Sequence, residues 1–136
     1  MLWWKKKAEK KTPQAKKPLH EPSTKDAQIV EGFIRKAMEL AYETKDEHNW
    51  IFDIPGSKNE AILSVDKSAK GQAVAVMVRR KASSYVTMHY HFMGSREQVE
   101  AFLLDPDHAL PMAKSVWELS AAVDDQADEY PFYTIP

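Results

Sequence analysis

The sequence predicts an α+β domain: a four-stranded antiparallel meander with helices packed mainly on one face, in the order α-β-β-β-β-α-α. Three observations lead there. One apolar stripe of helical period runs through residues 25–44, and four runs of period two follow between residues 50 and 92. A serine-led capping signature and a further helical stripe come after them.

The first helix begins beside Ser23 or Thr24, either of which can cap it, and Asp26 places negative charge in its first turn. Val30, Phe33, Ile34, Ala37, Met38 and Ala41 recur at i, i+3, i+4, i+7, i+8 and i+11, so they share one face; Gly32 weakens the helix locally.

In the first strand Trp50, Phe52 and Ile54 alternate with Ile51 and Asp53, and Pro55-Gly56-Ser57-Lys58-Asn59 reads as a turn. Ala61, Leu63 and Val65 form the second run, Val74, Val76 and Val78 the third, and Val86, Met88, Tyr90 and Phe92 the fourth. Large apolar groups meet when Val65 pairs with Val74, Leu63 with Val76, and Phe52 with Leu63. The same logic pairs Val74 with Phe92, Val76 with Tyr90 and Val78 with Met88. The face these residues share is the expected core.

Ser95 with Gln98 three residues on is a capping box, opening a short helix with Val99, Phe102 and Leu103 inward and Asp105-Pro106-Asp107 at its end. The last helix covers about 109–127. Pro111 lies in its first turn, where proline is tolerated, and Ala113, Val116, Trp117, Ser120 and Val123 form its inner stripe. In residues 128–136, Tyr130, Phe132, Tyr133 and Ile135 are expected to return onto the domain.

The formal net charge of −1 averages two unlike parts. Residues 1–25 hold eight Lys against Glu9 and Glu21, a net of +6, whereas residues 26–136 hold 11 basic against 18 acidic residues, a net of −7. Residues 1–22 therefore read as a disordered basic arm, with Pro13, Pro18 and Pro22 interrupting any helix, and residues 23–136 as a single acidic domain. The chain contains no cysteine, which excludes disulfides, thiol catalysis and thiolate zinc sites. No run approaches the ~20 apolar residues of a membrane span, and Met1-Leu2-Trp3-Trp4-Lys5-Lys6-Lys7 lacks a secretory apolar core. The expected setting is cytoplasmic, with a membrane-peripheral alternative.

Catalysis has little to stand on. No serine lies in a G-x-S-x-G elbow, and the four glycines are isolated, so no phosphate-cradling loop exists. The informative surface is the second sheet face, expected to carry Met77, Arg79, Tyr85, Thr87, His89 and His91; its plain alternative is a half-solvated sheet surface. His89 and His91, at i and i+2, point one way and could hold a metal, but a third ligand is needed. His48, Asp53, His108 and Asp107 are candidates in type, but Asp53 lies three strands off, roughly 14 Å at about 4.8 Å per strand, too far for one ion. Asp124, Asp125, Asp128 and Glu129 read as a frayed, solvated helix end.

The reading is a non-catalytic protein-binding or adaptor module, with a protein partner, a ligand face of Tyr85, Thr87, His89, His91, Met77 and Arg79, and no metal or cofactor. The first alternative is peripheral membrane association, in which Trp3 and Trp4 sit at headgroup depth and Lys5, Lys6 and Lys7 meet anionic lipid. The second is a metal-dependent enzyme using His89 and His91. Nucleic acid fits less well, because Arg79-Arg80-Lys81 is one short patch and nothing else in the domain suggests base recognition.

Overall fold

The computed structural model describes residues 22–68, 71–81 and 86–129. The expectations for the arm, including Trp3, Trp4, Lys5, Lys6 and Lys7, for Tyr85, and for the return of Tyr130, Phe132, Tyr133 and Ile135 fall outside these residues. Within them, α1 (Thr24–Glu43), β1 (Glu47–Asp53), β2 (Asn59–Asp66), β3 (Ala73–Arg80), β4 (Val86–Met93), α2 (Arg96–Leu104), a 3-10 turn (Pro106–His108) and α3 (Ala109–Glu129) follow in order. One antiparallel sheet has the strand order β1-β2-β3-β4. The predicted α+β class and element order stand, with the 3-10 turn added between α2 and α3.

Local chemistry explains where the helices start. The Ser23 hydroxyl accepts from the Asp26 amide at 3.1 Å. At Ser95 both halves of the capping box are present: the Gln98 amide donates to Ser95 Oγ at 3.2 Å, and the Ser95 amide to Gln98 Oε1 at 2.9 Å. Each pairing satisfies a donor that a helix start leaves without a partner. The stripe of α1 buries Val30, Ile34, Ala37, Met38 and Ala41, whereas Phe33 stays half-exposed and stacks on Phe52 at 4.9 Å.

Between β1 and β2 the chain reverses through Pro55 and Gly56. The Ser57 amide donates to the Ile54 carbonyl at 3.1 Å, and Gly56 has φ of 70°. Proline at the second position and a left-handed residue at the third make a type II turn, which glycine forms without steric cost.

Two registers depart from expectation. Phe52 lies opposite Ala61 and Trp50 opposite Leu63, two residues away from the predicted Phe52–Leu63 pair. An even shift keeps every side chain on its face, so the core is unchanged. The second departure inverts a strand. Val65–Val74, Leu63–Val76 and Val74–Phe92 pair as predicted, but Ala75 then lies opposite Tyr90, and His91 has no partner in the ladder. Beyond this β-bulge Val76 faces His89, Met77 faces Met88 and Val78 faces Thr87. The expected Val76–Tyr90 and Val78–Met88 pairs are not formed, because one extra residue reverses the side-chain alternation of everything before it in the strand.

The helices cover the valine face. Ala61, Leu63, Val65, Val74, Val76 and Val78 join the buried faces of α1, α2 and α3 in one apolar cluster, edged by Trp50, Phe52, Phe92 and Trp117. Burying each Val or Leu contributes ~1.5–3 kcal/mol, which makes this layer the main stabilising element. None of the described helices crosses the other sheet face.

Candidate functional site

The open face is what the bulge creates. Residues opposite one another share a face, so Met77 and Met88, and Ala75 and Tyr90, point away from the helices. Tyr90 is 54% exposed and Met88 47% exposed. With Met93, Ala73, Asn49 and Ser64 they line a concave surface of about 680 Å³. Large apolar side chains gathered in solvent on one surface mark a place for contact, and methionine adapts its shape to what it meets.

Charge on this face is uneven. Arg79 Nε donates to Glu60 Oε2 at 2.6 Å, and Lys81 Nζ lies 2.9 Å from Asp53 Oδ1, so the end near the β1–β2 turn is neutralised. At the opposite end Glu47 and Asp66 are cross-strand partners that line the concavity, and neither has an ion pair among the described residues. Asp66 Oδ1 accepts from the Ser68 amide at 2.8 Å. Gly71 permits the approach of that carboxylate, since a Cβ there would come within 2.5 Å of Asp66 Oδ2. The surface thus presents methionine and tyrosine beside two carboxylates.

No protein-family model, curated protein or solved structure matches this chain.

The structure divides the residues that the sequence placed on one face. Met77 and Arg79 lie on the open side. Thr87, His89 and His91 lie on the helix side: Thr87 Oγ1 donates to the Val78 carbonyl at 3.4 Å, His91 Nε2 is 2.7 Å from Ser115 Oγ on α3, and His89 Nδ1 is 3.5 Å from the same hydroxyl. The imidazoles stack with centroids 4.7 Å apart. Burial, with His89 adding to it, holds His91 below its ordinary value of 6.5. Met88 and Tyr90, assigned to the core by sequence, take the histidines' place in solvent. Among the described residues no group of three or more His, Cys, Asp or Glu side chains could hold a metal ion, and no helix is long and apolar enough to cross a membrane.

Two polar clusters were not legible in the sequence. Asn59, fully buried, donates through Nδ2 to Ser120 Oγ at 2.8 Å and Asp124 Oδ1 at 2.9 Å, and Arg80 bridges Asn59 Oδ1 at 3.0 Å and Asp124 Oδ1 at 2.6 Å. Asp124 is therefore an anchor between α3 and the sheet, not part of a solvated helix end. Lys67, only 1% exposed, donates to the Tyr42 carbonyl at 2.9 Å and to Glu100 Oε2 at 3.1 Å. It joins the end of β2 to the last turn of α1, whose dipole favours a cation, and to α2. A single lysine after a strand carries no sequence pattern that announces burial.

Proposed function

We propose that this domain is a non-catalytic protein-binding module, an adaptor whose docking surface is the open sheet face. Its occupant is a protein segment that sets a lysine or arginine beside large apolar side chains. One observation carries the reading: Met77, Met88, Tyr90 and Met93 are grouped in one concavity with Glu47 and Asp66 at its end. The apolar groups favour burial against a partner, and the carboxylates favour a cationic one. The net −7 of residues 26–136 would steer a basic partner from a distance and repel an acidic one. The absence of cysteine suits a reducing, cytoplasmic setting.

The test uses the full chain labelled with nitrogen-15 and a synthetic peptide alternating lysine with tryptophan, against a control with glutamate for each lysine. The expected result is saturable movement of the Ser64, Ala75, Met77, Met88 and Tyr90 amide signals with the basic peptide, weakened by salt. It should vanish in the Met77→Glu/Tyr90→Glu variant. No binding, or movement confined to residues outside the open face, would overturn the reading.

A further inference from the structure

β4 belongs to two environments at once. On one side Met88 and Tyr90 form the open face; on the other His89 and His91 converge on Ser115, which is 3% exposed. The bulge at His91 is all that assigns the two sets to their sides. Continuing the Val74–Phe92 pairing without it would set Tyr90 opposite Val76 and Met88 opposite Val78. Met88 and Tyr90 would then turn toward the helices and both histidines into solvent. The regular arrangement satisfies the apolar alternation of Val86, Met88, Tyr90 and Phe92, so the strand has two plausible registers.

We infer that protonation of His89 and His91 switches β4 from the bulged to the regular register, withdrawing Met88 and Tyr90 from the open face and putting cationic histidines there. The consequence for docking rests on the function proposed above; the strand switch itself does not.

The Ser115 hydroxyl has one proton to donate. With neutral rings it accepts from one imidazole and donates to the other, and a first added proton is accommodated in that chain. A second makes both rings donors and sets two positive charges on rings 4.7 Å apart. Among the described residues no neighbour offsets them. On α3, Lys114 and Glu118 line the groove toward α1 instead. On β3 the facing residues are Val74, Val76 and Val78, and Arg80 beyond them is paired with Asp124 of α3 at 2.6 Å. On α2, Glu100 is engaged with Lys67, while Phe102 separates β4 from His108, which pairs with Asp105. Among the described residues no carboxylate makes an ion pair with either imidazole. Moving the histidines into water relieves the repulsion, and the apolar groups that replace them suit the interior.

Cross-strand nuclear Overhauser contacts in the full chain at about pH 7.5 and about pH 5, either side of the imidazole range, test this. At the higher pH, Met77–Met88 and Val76–His89 contacts are expected. At the lower pH they should give way to Val76–Tyr90 and Val78–Met88, and peroxide oxidation of Met88 should slow several-fold. His89→Leu/His91→Leu should keep the bulged register at both pH values, and His89→Lys/His91→Lys should show the regular register even at the higher one. Persistence of Met77–Met88 in the wild-type chain at the lower pH, or switching in the leucine variant, would overturn the inference. A strand that switches while the lysine–tryptophan peptide binds at neither pH would sink the docking reading alone.

Discussion

Asn59 on β2 donates to the hydroxyl of Ser120 on α3 at 2.8 Å, across 61 positions of sequence. Arg80, directly opposite Asn59 in the sheet, reaches the same helix one turn on, at Asp124. The two strand ends and the helix are thus locked by one network, buried at Asn59 and Ser120 and partly exposed at Arg80 and Asp124. Asn59→Ala should destabilise the domain by about 1–3 kcal/mol, because it takes the Asn59 partner from the buried Ser120 hydroxyl and from Arg80 Nε, whereas Asp124 keeps Arg80 and is a third exposed. Urea denaturation measures this; a loss below about 0.5 kcal/mol would mean that neighbouring groups satisfy themselves without it.

Lys67 is the other buried polar anchor. Lys67→Met keeps the apolar stem and removes the charge, so the Tyr42 carbonyl loses its donor. Glu100 is a third exposed and can rehydrate, which holds the expected loss to about 1–3 kcal/mol, below that of a fully buried pair. Lys67→Arg should not restore full stability, since a planar guanidinium needs more room than the ammonium. Full recovery by arginine in thermal melts would contradict this.

Two glycines should respond with opposite signs. Gly56 has φ of 70°, so Gly56→Ala strains the turn and should cost about 1 kcal/mol. Gly32 lies in α1, where an added Cβ meets nothing within 4 Å, so Gly32→Ala should stabilise by about 0.5–1 kcal/mol. Midpoints of chemical denaturation decide both.

Stability should also vary with pH through His91. Its value in the fold lies below the ordinary 6.5, so the unfolded chain takes the proton more readily. This contribution is present in full above about pH 6.5 and is lost as pH falls from there to the lowered folded value. Urea denaturation should show wild-type losing more stability than His91→Gln on acidification through this window. Equal losses in the two proteins would refute the assignment.

The sequence by itself determined the element order, the buried stripe of α1, the capping box of Ser95 and Gln98, and the turn at Pro55 and Gly56. Each of these depends on residues within a few positions of one another, where periodicity and backbone preference act directly. The valine face was legible for the same reason: its alternation holds in any register shifted by an even number. The tertiary structure alone decided which side of the sheet His89 and His91 occupy. A bulge of one residue reverses a strand's faces while leaving its alternation intact, so Thr87, His89 and His91 parted from Met77 and Arg79 with no sign in the pattern. The partners of Lys67, Asn59 and Asp124 were likewise decided by packing, because a buried charge or amide is satisfied by groups far away in the chain. The open face is a product of both: the sequence supplied its methionines, tyrosine and carboxylates, and the bulge brought them together.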